Sequence, residues 1–302
     1  MVSPAVIAMI WGTISTIVLH ISKAMERQGI EIFDQIRARV KKEKSNEENE
    51  EVEVKKPVVY IVGLIMNNIV PVFAIASNAM VGKEYASYFT SMFGIGLIAL
   101  LIYSSKILKE KIKKIQIFGA IVLISGTLLI GLENIMRGEN NAEVDTTTAV
   151  IMMLAFLIGG FIVVLITHFK NPSVGAIGVI FGLYAGGSGG LDPVLKAFGQ
   201  DNALLPSDLI GWLIFGISFL AGSAGFLITQ WGFAKRAQAS VLVPAYNSLY
   251  VVLPILVFGI TLPGFTITYI TIISLAMIVA GMVLMKAFTE EEPPHVVDVE
   301  VE

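Results

Sequence analysis

The 302-residue sequence has no cysteine and little charge. Without cysteine the chain has no disulfide, no thiolate nucleophile and no metal site with cysteine ligands. Charged residues make up 15% of the chain, hydrophobic residues make up 55%, and the mean hydropathy is +0.77. This composition excludes a secreted globular domain, a disordered protein and a cytosolic enzyme, and it leaves a polytopic membrane protein.

An excess of positive charge is also lacking, because 21 basic residues stand against 24 acidic ones. Nucleic-acid binding needs a basic surface, so nucleic acid is not an expected partner. The sequence contains no Walker A motif, no H-E-x-x-H motif, no nucleophile elbow and no paired carboxylates at active-site spacing. We therefore expect neither an enzyme nor an ATP-driven pump, and no bound cofactor.

The sequence does contain many apolar segments of bilayer length. They are too long for barrel strands and do not alternate in polarity, so we expect an all-α, polytopic membrane protein with nine transmembrane helices. The first segment lacks a basic n-region and a small-residue cleavage site, which favours a retained helix over a signal peptide. The predicted spans are 3–21, 57–80, 85–107, 115–135, 148–169, 173–198, 209–233, 239–260 and 265–288.

Basic residues are distributed unevenly between the two sides of these spans. The loops after spans one, three, five and seven and the C-terminal end hold 18 of them, and the other side holds three. Because an excess of lysine and arginine marks cytoplasmic loops, the N-terminus is predicted outside and the C-terminus in the cytoplasm.

The first loop is long and charged. Residues 25–42 have an apolar face at helical spacing flanked by basic residues, which predicts an interfacial helix on the cytoplasmic leaflet. Residues 43–53 are rich in glutamate and lack aromatic residues, which is typical of a solvated linker. We interpret this acidic run and the acidic tail as solvated charge; the alternative is a metal sensor.

The two halves of the chain indicate an inverted repeat. An offset of 153 residues places Ala86-Ser87 on Ala239-Ser240 and spans two to four on spans seven to nine, and an offset of 173 places Lys23 on Lys196. Spans two and seven cross in opposite directions, which is typical of carriers that expose a central site to alternate sides. We expect the first repeat at 1–136, a connector span with the second repeat at 137–288, and an acidic tail at 289–302.

Span six is unusually rich in helix-destabilising residues. A glycine costs about 1 kcal/mol relative to alanine in a helix, and proline lacks a donor. We expect a break or hinge beside a cavity; the alternative is that the glycines permit close helix packing. The residues concerned are Gly186, Gly187, Gly189, Gly190 and Pro193.

Asp192 in span six is interpreted as the only carboxylate well inside a predicted span, and such groups are functional-site candidates. Lys196 follows one helical turn later. The pair is either a neutralising salt bridge near the outer surface or part of an ion pathway. In the second case Asp192 is a metal ligand for a passing cation or exchanges a proton with it.

Neutral polar residues recur at similar depths in several spans. As a set they predict a polar pathway whose oxygens suit Mg²⁺ or an organic zwitterion, although each amide alone is explained as a hydrogen bond between helices. His20 and His168 lie near predicted cytoplasmic ends, where they most simply meet water; a pH switch is the alternative. The remaining pathway candidates are Asn67, Asn68, Asn78, Gln230, Tyr246, Asn247, Tyr184, Trp11, Thr13 and Lys23.

Two sets of motifs resemble known transporter families. Leu108-Lys109-Glu110, with the later Gln116-Ile117-Phe118-Gly119 and Ser125-Gly126, looks like a signature of the drug/metabolite transporter superfamily. The lysine that ends span one, the Val194-Leu195-Lys196-Ala197 end of span six and the run from Gln230 to Tyr246 resemble NIPA-like magnesium transporters. This resemblance implies alternating-access or channel-like transport of Mg²⁺ or a related divalent cation.

Two other functions remain open. One is a carrier of the same superfamily that exports a small organic metabolite, an amine or a lipid-linked sugar, and a large aromatic-walled cavity would favour it. The other is a non-transporting scaffold or sensor that works through the charged loop at 25–56. The expected partners are the lipid bilayer, a small cation or organic substrate, and a second copy of the chain in a homodimer.

Overall fold

The computed structural model describes residues 3–44, 58–108, 112–137, 144–170 and 172–287, and over these residues the chain is helical and has no strand. The predicted all-α class is therefore confirmed. The part of the predicted linker beyond residue 44 and the acidic tail at 289–302 lie outside the described residues.

The described chain forms ten α-helices and two short 3₁₀ segments. The third predicted span consists of the 3₁₀ segment Lys83–Tyr85, helix α3, the 3₁₀ segment Met92–Gly96 and helix α4. The helices are α1 (Pro4–Lys44), α2 (Val58–Val81), α3 (Ala86–Ser91), α4 (Leu97–Lys106), α5 (Lys114–Arg137), α6 (Thr146–Lys170), α7 (Val174–Gln200), α8 (Leu209–Ala234), α9 (Ala239–Thr261) and α10 (Tyr269–Ala287).

Eight helical stretches of the described chain are long and apolar enough to cross a bilayer. They comprise Pro4–Gly29 of α1, α2, the third span from α3 to α4, most of α5, and α6 to α9. The ninth predicted span corresponds to α10. This helix is apolar and has 19 residues, within the range of lengths that transmembrane helices adopt. Large aliphatic side chains such as Ile151 and Ile158 are exposed, as expected of a lipid-facing surface. The chain is therefore a multi-pass integral membrane protein.

Helix α1 is longer than the predicted first span. We expected a span that ends at residue 21 and a separate interfacial helix at 25–42, but one continuous helix covers both. The predicted gap between the first span and the interfacial helix is wrong, because no proline interrupts the segment and Gly29 does not end the helix. A Cβ on Gly29 would overlap the side chain of Tyr60, so the glycine allows α1 and α2 to approach closely.

The irregular backbone lies in the third span. Thr16 Oγ1 on α1 donates a 2.6 Å hydrogen bond to the carbonyl oxygen of Phe93 within the 3₁₀ segment between α3 and α4. A side-chain partner of this kind is what makes irregular backbone tolerable inside a membrane. Gly96 is required at the same place, because a Cβ there would overlap the side chains of Thr16 and His20.

Helix α7, by contrast, is helical over its whole length. A break of the helix at Gly186, Gly187, Gly189, Gly190 and Pro193 is therefore wrong, whereas the predicted hinge stays a prediction; Gly189 does lie on the wall of a cavity. A Cβ on Gly186 would overlap the carbonyl oxygen of Tyr246, and the other three glycines face equally close atoms of α6 or α9. The glycines serve the close packing of helices, which was the alternative interpretation.

The helices pack around α7, which lies against both α8 and α9 along much of its length. Helix α1 packs against α2 and against the third span, α5 packs against α10, and α6 covers α7 and α9. The rings of Phe93 and Tyr250 stack with their centres 3.7 Å apart, where the third span meets α9. This arrangement places α1, α2, α7, α8 and α9 around a common interior.

Replacing Gly186 by alanine tests the contact between α7 and α9. We expect the added Cβ to overpack the interface and to destabilise the protein by about 1–3 kcal/mol. Gly216→Ala in α8 is the matched control, because a Cβ there has no atom within 4 Å. Thermal unfolding in detergent, followed by tryptophan fluorescence, should show a lower midpoint for Gly186→Ala only. Equal midpoints for the two variants would contradict the contact.

Candidate functional site

A cavity of about 140 Å³ lies between α1, α2, α7, α8 and α9. Its wall carries two lysines, one carboxylate, two side-chain amides and four aromatic rings. Six of the predicted pathway residues lie on this wall, namely Lys23, Asn67, Asn68, Asp192, Lys196 and Tyr246. Charged and polar groups are thus concentrated in one pocket among apolar helices, and the pocket reaches the surface at Asn68, Phe219 and Ser223, which are exposed.

Asp192 and Lys196 form the predicted ion pair on α7. Lys196 Nζ donates a hydrogen bond to Asp192 Oδ1 in an ion pair, and the lysine side chain is fully buried. The ammonium group also lies 4.3 Å from the centre of the Phe219 ring on α8. Gly222 makes room for the carboxylate, because a Cβ there would lie 3.2 Å from Asp192 Cγ. The pairing is confirmed, and both of its charges are on the cavity wall.

Lys23 brings a second ammonium group to the cavity from α1. Its side chain is 1% exposed. Nζ donates a 3.2 Å hydrogen bond to Thr229 Oγ1 on α8 and lies 3.6 Å from the centre of the Tyr246 ring on α9. This contact with the ring face is a cation–π interaction. Lys23 therefore joins three helices around the cavity.

Glu26 is the most important residue that the sequence analysis missed. It is fully buried, and its carboxylate accepts hydrogen bonds from Asn67 Nδ2 of α2, at 2.8 Å, and from Gln230 Nε2 of α8. Tyr60 of α2 donates a further bond to Gln230 Oε1 at 3.4 Å. Because the first span was ended at residue 21, Glu26 was assigned to the charged loop. The signal that could have found it is its position one turn after Lys23, with no helix breaker between them.

The statement that Asp192 is the only carboxylate inside a span is therefore wrong. Glu26 and Glu133 are buried as well. Glu133 lies near the end of α5 and accepts a 2.7 Å hydrogen bond from Thr271 Oγ1 of α10, away from the cavity. The hydrogen bond between Glu133 and Thr271 thus links the packed helices α5 and α10.

The expectation that His20 meets water is wrong, because the side chain is fully buried. Its Nδ1 lies 2.7 Å from the carbonyl oxygen of Thr16, and its Nε2 lies 2.6 Å from Asn247 Nδ2. A neutral ring that donates from Nδ1 and accepts at Nε2 satisfies both contacts. His20 and Asn247 therefore connect α1 to α9 behind the cavity. His168 is half-buried, with its ring centre 4.7 Å from that of Trp231.

A second polar cluster lies at the opposite end of α2. Asn78 Nδ2 donates to the carbonyl oxygen of Pro193 at 3.2 Å and to Gln200 Oε1 at 3.3 Å. Nearby, Lys83 Nζ lies 2.6 Å from Asp201 Oδ1. We call the side chains of Asn78, Gln200, Lys83 and Asp201 the Asn78 cluster. The side chains of Glu26, Asn67, Gln230 and Tyr60 are called the Glu26 cluster. The cavity lies between the two.

The other pathway candidates have structural contacts away from the cavity. The ring of Trp11 packs against Phe73, with centres 5.9 Å apart. Tyr184 donates a 3.0 Å hydrogen bond to the carbonyl oxygen of Leu157, and Thr13 donates a 2.9 Å bond within α1. Polar character alone did not separate these residues from those on the cavity wall.

Among the described residues, no three histidine, aspartate, glutamate or cysteine side chains are close enough to hold a metal ion together. No family model, curated protein or solved structure matches the chain. The likeness to drug/metabolite transporters and to NIPA-like magnesium transporters therefore stays a prediction from motifs.

Proposed function

We propose that the protein is a membrane transporter that carries a small solute through the cavity between α1, α2, α7, α8 and α9. The observation that carries this proposal is the charged cavity itself. Ionisable side chains inside a membrane are costly, and substrate and ion pathways are among the functions that they mark. Lys23, Asp192 and Lys196 together line a space that a solidly packed scaffold has no need to keep. No enzymatic role is proposed.

The pairing of helices supports transport by two inverted halves. Helix α1 packs against α2 and the third span, just as α7 packs against α8 and α9, and α5 packs against α10. These are the correspondences that the offsets of 153 and 173 residues predict, with α6 left as the connector. In such a protein two conformations of similar energy expose a central site to opposite sides. We propose the orientation with the N-terminus outside.

The two polar clusters suggest where the protein opens. The Glu26 cluster joins α2 to α8 on the predicted cytoplasmic side of the cavity. The Asn78 cluster joins α2 and the segment after it to the end of α7 on the other side. In the proposed cycle one cluster breaks while the other stays closed, so that the cavity is never open to both sides.

The size and lining of the cavity favour a small organic solute. Its volume is close to that of a roughly 150 Å³ cavity that holds one benzene molecule, so about six non-hydrogen atoms fit. Sites for drug-sized molecules begin at about 300 Å³, which makes a lipid-linked sugar too large for this conformation. Four aromatic rings on the wall offer contacts for carbon atoms.

Magnesium, the cargo that the resemblance implies, is the second candidate. Asp192, Asn67 and Asn68 are on the wall, and carboxylate and amide oxygens are ligands that Mg²⁺ accepts. However, Asp192 is already bound by Lys196, and Lys23 adds a second ammonium group to the same wall. Like charges in a medium of low dielectric constant repel strongly, so these lysines oppose a dication.

A flux measurement tests the proposal. Purified protein in liposomes is assayed for uptake of L-alanine, L-lactate, ethanolamine and Mg²⁺. We expect uptake of at least one organic probe above that of protein-free liposomes. Gly222→Leu should abolish it by filling the cavity beside Asp192, whereas Gly216→Leu, on an open face of the same helix, should not. Uptake of Mg²⁺ alone would favour the second candidate, and no uptake of any probe would contradict transport.

A labelling experiment tests the Glu26 cluster as a closure. Because the chain has no cysteine, Leu19→Cys on the cavity wall provides a single reporter at a side chain that is buried in this conformation. Glu26→Ala removes two hydrogen bonds to a charged group, each worth about 1.5–3 kcal/mol. We expect it to accelerate maleimide labelling from the predicted cytoplasmic side at least about tenfold.

The matched control for this experiment is Glu133→Ala, which also removes a buried, hydrogen-bonded carboxylate but lies away from the cavity. Its labelling rate should equal that of the parent protein. The closure is contradicted by an unchanged rate in Glu26→Ala, or by equal acceleration in both variants.

A further inference from the structure

We infer that the cavity binds a small organic carboxylate of about six non-hydrogen atoms, and that Lys23 holds its carboxylate group. This inference rests on the proposed transport function and names the class of solute. It follows from the donors that Lys23 leaves unused, from the balance of charge on the wall and from the chemistry of the remaining lining.

Lys23 has fewer partners than a buried ammonium group needs. An ammonium group has three N–H donors and no acceptor. The described residues offer Nζ one hydrogen-bond acceptor, Thr229 Oγ1, and one ring face, that of Tyr246. No described carboxylate lies within 4 Å of it. One donor therefore remains for a ligand in the cavity, and a carboxylate is the natural acceptor.

The charges of the residues on the cavity wall do not sum to zero. Lys196 is neutralised by Asp192, the carboxylate on the wall. Glu26 follows Lys23 by one turn, but it is not on the wall and its two oxygens accept from side-chain amides. One ammonium charge thus faces the cavity without a counter-charge on the wall, and a bound anion would supply it.

The rest of the wall favours an organic anion over an inorganic one. Phe219, Phe226 and Tyr250 present rings to the cavity, and ligand sites generally combine such apolar walls with a few placed polar groups. A carboxylate on a short carbon chain satisfies Lys23 at one end and the rings at the other. Phosphate and chloride have no apolar part, and a tetrahedral phosphate needs more donors than Lys23 offers.

Equilibrium binding to the full-length protein in detergent tests this inference without requiring flux. The probes are propionate, L-lactate and L-alanine, which share a carboxylate, and propane-1,2-diol, which has as many non-hydrogen atoms as propionate but no charge. Inorganic phosphate and chloride are tested beside them. We expect at least one carboxylate to bind at least about tenfold more tightly than the diol and the two inorganic anions, because a hydrogen bond between charged groups is lost in the diol.

Lys23→Met keeps a long side chain and removes the charge, and we expect it to weaken carboxylate binding at least about tenfold. Lys170→Met is the matched control, because Lys170 is exposed at the end of α6, outside the cavity wall and both polar clusters. The comparison of carboxylates with the diol uses the parent protein, so the test stands even where Lys23→Met does not fold.

The outcomes separate this inference from the proposed function. The inference is overturned by failure of all three carboxylates to bind, by equal affinity for carboxylate and diol, or by unchanged carboxylate binding in folded Lys23→Met. Uptake of ethanolamine or Mg²⁺ without carboxylate binding would leave transport standing and remove the inference. Carboxylate binding without uptake in liposomes would support the inference as to ligand and contradict transport.

Discussion

A carboxylate or an ammonium group is costly inside a bilayer unless protein groups satisfy it, and this constraint determines how the helices of the cavity are arranged. Asp192 is satisfied within its own helix by Lys196, but Glu26 needs amides from both α2 and α8. Lys23 needs α8 and α9 and is still incompletely satisfied. The helices around the cavity are therefore held together by the same charged groups that make the cavity a candidate site.

Close backbone contact is the second element of the structure. The glycines of α7 allow α9 to touch it, which brings Tyr246 and Tyr250 to the cavity. The third span adopts a 3₁₀ segment and relies on Thr16 of α1 for a hydrogen bond. Helix α7 is thus continuous and closely packed against α9 in this conformation. The two polar clusters consist mainly of side-chain contacts, and they are the parts that we propose break in the transport cycle.

Hydropathy predicted the helices well, because a transmembrane helix needs about 20 apolar residues and such runs are visible in one sequence. It failed at α1, since a span defined by apolar residues ends at the first charges even where the helix continues to Glu26 and beyond. The glycines of α7 were misread for a different reason. Their effect depends on what faces them in space, and Tyr246 is sixty residues away from Gly186. Among the site residues, charge inside a predicted span identified Asp192 and Lys196, whereas Lys23 was identified by its correspondence with Lys196 at the offset of 173 residues.

The most direct test of alternating access is to measure distances at both ends of α2 and α8 with spin labels. Cysteine pairs at Ile61 and Ala234 and at Met80 and Ile210, all exposed positions, would carry the labels. The account predicts two distances for each pair, with the first pair lengthening as the second shortens, and Glu26→Ala shifting the balance towards a longer first distance. A single, unchanged distance at both ends would contradict it.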